Sequence, residues 1–126
     1  MTFTDLKLSE HQIQSAFFQW VRVAEKIHPR LKLMFAVPNA GKRGYKTAAM
    51  LIAEGLRKGV LDVLFPVASS GFNGLAIEFK KPGGVLTPEQ EDFADALTGE
   101  GWLVVMMTDS HGAISLVKNY LGLKNV

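Results

Sequence analysis

The sequence predicts a mixed α/β fold, a central sheet of about four strands flanked by helices, and three observations carry that expectation. Helix-periodic segments and short apolar runs follow one another in the order helix, strand, helix, strand, strand, helix, strand, helix. The two central runs, beginning near Val60 and Leu75, are joined by the short link Ala68-Ser69-Ser70-Gly71-Phe72-Asn73-Gly74, which suits an antiparallel pair. The run after them is reached through a helix-length segment, which suits a right-handed parallel crossover. A length of 126 residues with 48% apolar content supplies one core, so residues 1–126 read as a single domain.

The first helix is expected from about Ser9 to Ile27. Ser9 and Gln12 have capping-box spacing, and Ile13, Ala16, Phe17, Trp20, Ala24 and Ile27 recur with helical period as one apolar face. Glu10, Gln14, Phe17 and Val21 form a row that begins polar and becomes apolar. Taken alone, Glu10 complements the helix dipole, while His11 and His28 have no partner spacing and read as surface residues. Leu31 to Val37 reads as a strand ended by the breaker cluster Pro38-Asn39-Ala40-Gly41. A short, peripheral second helix is expected from Tyr45 to about Leu56, flanked at its end by Gly55 and Gly59.

The central pair of strands follows, then a turn at Lys81-Pro82-Gly83-Gly84. Thr87-Pro88-Glu89-Gln90 is a capping box with proline at the first helical position, and it opens a third helix with Phe93, Ala94 and Leu97 inward and Glu91, Asp92 and Asp95 solvated. Trp102 to Met107 reads as a buried strand and Ser110 to Leu121 as a closing helix, with His111 in its first turn.

Composition excludes several classes of function. Without cysteine there is no disulfide framework, thiolate metal site or thiol nucleophile, and a reducing cytoplasm is the expected setting. No apolar run approaches bilayer-spanning length and the N-terminus lacks a signal-peptide pattern, so no membrane partner is expected. The segment GKRGYKT invites a phosphate-loop reading, but Tyr45 intervenes between Gly44 and Lys46, so the order G-x-x-x-x-G-K-[ST] is absent and no nucleotide cofactor is expected. The net charge of +2 conceals an uneven distribution: from Arg22 to Lys58 nine Lys and Arg stand against two Glu. Such a segment is either a solvated face or a polyanion-binding one.

Three charges sit where a buried sheet does not normally tolerate them: Asp62 at the start of one central run, Glu78 and Lys80 at the end of the other. Side chains alternate along a strand, so Glu78 and Lys80 share one face while Leu75, Ile77 and Phe79 enter the core on the other. An antiparallel pairing brings Asp62 beside them. Two carboxylates with a backbone carbonyl are hard oxygen ligands that suit Mg²⁺ or Mn²⁺, and an adjacent ammonium orients a nucleophilic water or neutralises charge on a phosphate. The plain alternative is a surface Glu-Lys pair with an unrelated aspartate.

Asp62, fifteen residues, then Glu78-Phe79-Lys80 resembles the signature of the PD-(D/E)XK nuclease superfamily, and its surroundings resemble the VRR-NUC (virus-type replication-repair nuclease) branch. The supporting residues are Glu10 and Gln14, Pro38-Asn39, Gly55-x-x-x-Gly59 and Leu86-Thr87-Pro88-Glu89-Gln90, spread over roughly residues 9 to 121. Leu61 stands where the superfamily's name has proline, which removes turn rigidity but no ligand.

The resemblance implies a restriction-endonuclease-like core and a divalent-metal-dependent DNA endonuclease. Asp62 and Glu78 would hold Mg²⁺ or Mn²⁺ with the Phe79 carbonyl as a third protein ligand. Lys80 would assist the attacking water, Glu10 would support metal or water, and Gln14 would stand behind it. Gln90 reads equally as a capping residue and as a catalytic-site glutamine. Asn39, Lys42, Arg43, Tyr45, Lys46, Arg57 and Lys58 become contacts to nucleic acid, with Tyr45 suited to stacking on an unpaired base; for Asn39 a turn role, and for Arg57 and Lys58 a helix-terminus role, stay open. Branched DNA such as flaps or four-way junctions, a phage or prophage setting in replication, recombination or repair, and a homodimer follow from the resemblance alone. An inactive DNA-binding module of the same fold and an RNA-directed nuclease are the alternatives.

Overall fold

The computed structural model describes residues 7–38 and 45–123. Its elements are α1 (Glu10–Ala24), a 3₁₀ turn (Pro29–Leu33), β1 (Phe35–Ala36), α2 (Tyr45–Ala53), β2 (Val63–Phe65), β3 (Gly74–Phe79), α3 (Pro88–Gly99), β4 (Trp102–Met107) and α4 (Ser110–Leu121). The strands form one mixed sheet in the order β1-β2-β3-β4. β1 and β3 each pair antiparallel with β2, whereas β4 pairs parallel with β3 after the α3 crossover. The expected four-stranded α/β architecture is therefore present, with both central pairings in the expected sense.

Local chemistry explains the turn between β2 and β3. Ser69 and Phe72 exchange backbone hydrogen bonds of 3.0 and 2.9 Å around Ser70 and Gly71, whose φ values are 52° and 84°. Two successive positive φ angles give the primed turn that matches the twist of antiparallel chains. The hydroxyls of Ser69 and Ser70 both donate to the Tyr120 carbonyl, at 2.6 and 2.7 Å, which anchors the turn to the end of α4 and holds Ser70 in a conformation that favours glycine.

All six residues of β3 are buried because helices cover both faces of the sheet. Leu75, Ile77 and Phe79 pack with Phe17 and Val21 of α1 and Val117 of α4, while Ala76 packs with Leu61 and with Ala94 of α3. Complete burial of a side chain such as Phe17 or Phe79 contributes roughly 1.5–3 kcal/mol. Glu78, two residues after Ala76, lies on the face that α3 covers. Leu61 is fully buried in the smaller cluster and works as core packing.

Several expected boundaries move. α1 ends at Ala24 rather than Ile27, α2 at Ala53 rather than Leu56, and Asp62 lies one residue before β2. The strand expected over Leu31–Val37 is mostly a 3₁₀ turn: Pro29 opens it, and Leu31 and Met34, three residues apart, both turn inward. Only Phe35 and Ala36 pair with β2. β4 was expected to be buried, but it is the sheet's edge and only partly covered, with Met106 39% exposed. Trp20 packs against the core as expected, yet its buried indole N–H has no hydrogen-bond partner among the described residues.

Candidate active site

Asp62 and Glu78 meet because the β2–β3 register pairs Val63 with Ile77, which puts the residue before β2 beside the end of β3. Two hydrogen bonds then link backbone and side chains reciprocally. The Asp62 N–H donates to Glu78 Oε1 at 3.1 Å, and the Phe79 N–H donates to Asp62 Oδ2 at 2.8 Å. Glu78 is 3% exposed, and its second oxygen, Oε2, lies 3.3 Å from Lys80 Nζ and accepts from Gln90 Nε2 at 2.9 Å. Burial first, and the Asp62 charge second, push the Glu78 carboxyl up to about 7; the Lys80 ammonium opposes them. A buried carboxylate is tolerated here because both its oxygens are hydrogen-bonded.

Gln90 reaches Glu78 while still performing its capping role. Its Oε1 accepts from the Thr87 N–H at 2.9 Å, and its backbone N–H donates to Thr87 Oγ1 at 3.2 Å, which leaves Nε2 for Glu78. The same side chain therefore caps α3 and bonds to the Glu78 carboxylate. Gly59 fixes how closely the preceding loop meets this helix: its φ is +88°, and a Cβ there would clash with the Glu89 carbonyl oxygen. Gly59→Ala is therefore expected to displace the first turn of α3, weaken the Gln90–Glu78 bond and destabilise the fold by roughly 1–3 kcal/mol. Chemical denaturation of wild type and variant measures this, and an unchanged midpoint would show that the loop yields freely.

From the other side, α1 supplies Glu10, whose Oε2 accepts from the Lys81 N–H at 3.3 Å just beyond β3. Glu10, Gln14, Asp62, Glu78, Lys80 and Gln90 all line one cavity of about 540 Å³. No family model and no curated protein matches the chain in sequence. Among solved structures it is similar to a "VRR_NUC domain protein", with a TM-score of 0.73 and 22% identity over 95% of this chain and 93% of the other. The chain has the VRR_NUC fold.

Within that fold, all seven expected contacts to nucleic acid stand apart or lie outside the described residues. Arg57 and Lys58 line a second cavity, of about 670 Å³, with Glu89, Asp92 and Phe93, on a different surface of α3's first turn. The structure does not bring them into the carboxylate cavity. Asn39, Lys42 and Arg43 lie outside the described residues; Tyr45 and Lys46 open α2, with their side chains outside the described set. Sequence reasoning missed Phe18 and Arg22, which line the carboxylate cavity. The signal was the row itself: after Gln14 it was continued to Phe17 and Val21, which are core, whereas steps of four lead to Phe18 and Arg22.

The donor chemistry fits a divalent cation. The Asp62 charge raises the proton affinity of the buried Glu78 carboxyl, a conflict that a hard cation between carboxylates relieves. Among the described residues no three His, Cys, Asp or Glu side chains form a ready-made metal cluster, so a cation here would draw on these two carboxylates and on neutral oxygens. Among the same residues no helix is long and apolar enough to cross a membrane.

Proposed function

We infer that this chain is a divalent-metal-dependent nuclease of the VRR-NUC family that hydrolyses phosphodiester bonds in DNA. The observation that carries this reading is the half-buried Asp62 bonded to the buried Glu78 carboxylate, with Lys80 against Glu78, at the end of β3 in an open cavity. The fold shared with a VRR_NUC domain protein supports it.

Asp62, Glu78 and the Phe79 carbonyl would hold Mg²⁺ or Mn²⁺, which when bound supplies Lewis acidity toward the phosphate and acidifies a water. Lys80, with its ammonium 3.3 Å from Glu78, serves to orient the attacking water or offset charge gathering on the phosphate oxygens. Gln90 holds Glu78 in place, as its 2.9 Å bond requires. Glu10, with Gln14 one turn along α1, supports water or metal from the opposite wall. Flaps or four-way junctions as substrates, a phage replication, recombination or repair role and a homodimer complete the proposal; a dimer would supply the second active site needed to cut two strands symmetrically.

The test is cleavage of labelled single-stranded, duplex, flap and four-way-junction DNA in Mg²⁺, Mn²⁺ or EDTA. Metal-dependent cutting is expected, and the preferred DNA defines the role. Tight binding without cutting in any metal would overturn the enzyme in favour of a DNA-binding module.

A further inference from the structure

We propose that Phe18 and Arg22 of α1 form a subsite for one unpaired nucleotide beside the carboxylate pair, so that the strand to be cut enters single-stranded. This rests on the nuclease reading of the same cavity. Four observations lead to it.

The cavity extends along α1 well past Glu10 and Gln14, to Phe18 and Arg22, with Ala36 and Val37 among its other lining residues. From Glu10 to Arg22 the helix rises about 18 Å, several phosphate spacings of a nucleic-acid strand. The volume of about 540 Å³ is enough for one nucleotide.

Phe18 is half-buried and held firmly. Its ring meets Phe17 edge to face at 5.4 Å, and Phe17 in turn meets Phe79 at 5.5 Å, the residue between Glu78 and Lys80 on β3. A platform braced through Phe17 onto the strand that carries the carboxylates keeps a fixed position relative to them. An aromatic face in such a cleft stacks on any base that has left its duplex neighbours.

Arg22 lies one helical turn beyond Phe18, about 6 Å along the axis. Its side chain is exposed, and among the described residues the one ion pair is Lys80–Glu78, so no described carboxylate competes for the guanidinium. A guanidinium in that place pairs with a phosphate flanking the stacked base.

The experiment measures binding of a fluorescent oligothymidylate and of a blunt duplex in EDTA, together with metal-dependent cleavage, for wild type, Phe18→Leu, Phe18→Trp and Arg22→Gln. Phe18→Leu preserves apolar packing and removes the aromatic face; it is expected to weaken oligothymidylate binding roughly tenfold or more, while Phe18→Trp retains it and duplex binding is unchanged. Arg22→Gln, on an exposed position that leaves folding intact, is expected to reduce the salt dependence of oligothymidylate binding by about one phosphate contact. Wild-type binding and salt slope in both Phe18→Leu and Arg22→Gln would overturn the subsite, even if the protein cuts DNA. If no metal supports cutting but the two variants still lose binding as described, the subsite stands and the nuclease reading falls.

Discussion

Asp62→Asn is expected to lower metal-dependent cleavage by roughly 10³-fold or more while DNA binding persists or tightens. The asparagine can still accept the Phe79 N–H through its amide oxygen, so the β2–β3 connection that Asp62 makes at 2.8 Å need not be lost. What disappears is one of two anionic oxygen ligands and a negative charge facing the incoming phosphate. The first change removes activity, and the second reduces repulsion of a polyanion. Lys80→Ala serves as a companion, with an expected loss of roughly 10²–10³-fold from the missing ammonium. Because Lys80 holds the Glu78 carboxyl down, its removal also moves the residual activity to higher pH, whereas Asp62→Asn lowers the proton affinity of Glu78. Single-turnover cleavage over a pH series, with binding followed separately by anisotropy, checks both. Wild-type turnover in Asp62→Asn would remove the aspartate from the site.

Features encoded over a few residues were legible in the sequence. Ser9 with Gln12 and Thr87 with Gln90 each close a capping box within four residues, and both helices start there. Loop length told the antiparallel β2–β3 pair from the parallel β3–β4 pair because a short turn can only reverse the chain. Asp62, Glu78 and Lys80 were visible because charges interrupt strand alternation, and the structure joins them by direct bonds.

What escaped depends on long-range packing. Leu31 and Met34 are apolar in a short run, and apolarity alone does not distinguish a 3₁₀ turn from a strand; their inward spacing of three emerges only against the core. β4 has an apolar sequence but, among the described residues, no fifth strand beside it, a property of the whole sheet. Adjacent rows of α1 differ by one residue, so Phe17 against Phe18 cannot be sorted into core and cavity until β3 fixes the helix's rotation. The contact of Gly59 with Glu89 likewise belongs to the tertiary structure, and Arg57 and Lys58 lie in the cavity beside that contact rather than near the carboxylates.

Glu78 is also expected to make the metal-free protein less stable as pH rises. Its carboxyl is raised from 4.5 to about 7 in the folded state, so between those values the folded chain holds a proton that the unfolded chain has released. The stabilisation is fully present below about 4.5 and is lost as pH passes through about 7. Its size is on the order of 3 kcal/mol, from the usual 1.36 kcal/mol per unit. Unfolding by denaturant in EDTA between pH 5 and 8 should show this fall. Glu78→Gln should flatten it, although its baseline is lower: the new amide must present a donor either to the Asp62 N–H or toward Gln90 and Lys80, where the carboxylate accepted from both sides. Millimolar Mn²⁺ should raise wild-type stability more at pH 8 than at pH 5.5, because cation and proton compete for the same carboxylates. A flat wild-type profile in EDTA would show that Glu78 titrates as an ordinary carboxyl, and an equal effect of Mn²⁺ at both pH values would place the cation elsewhere.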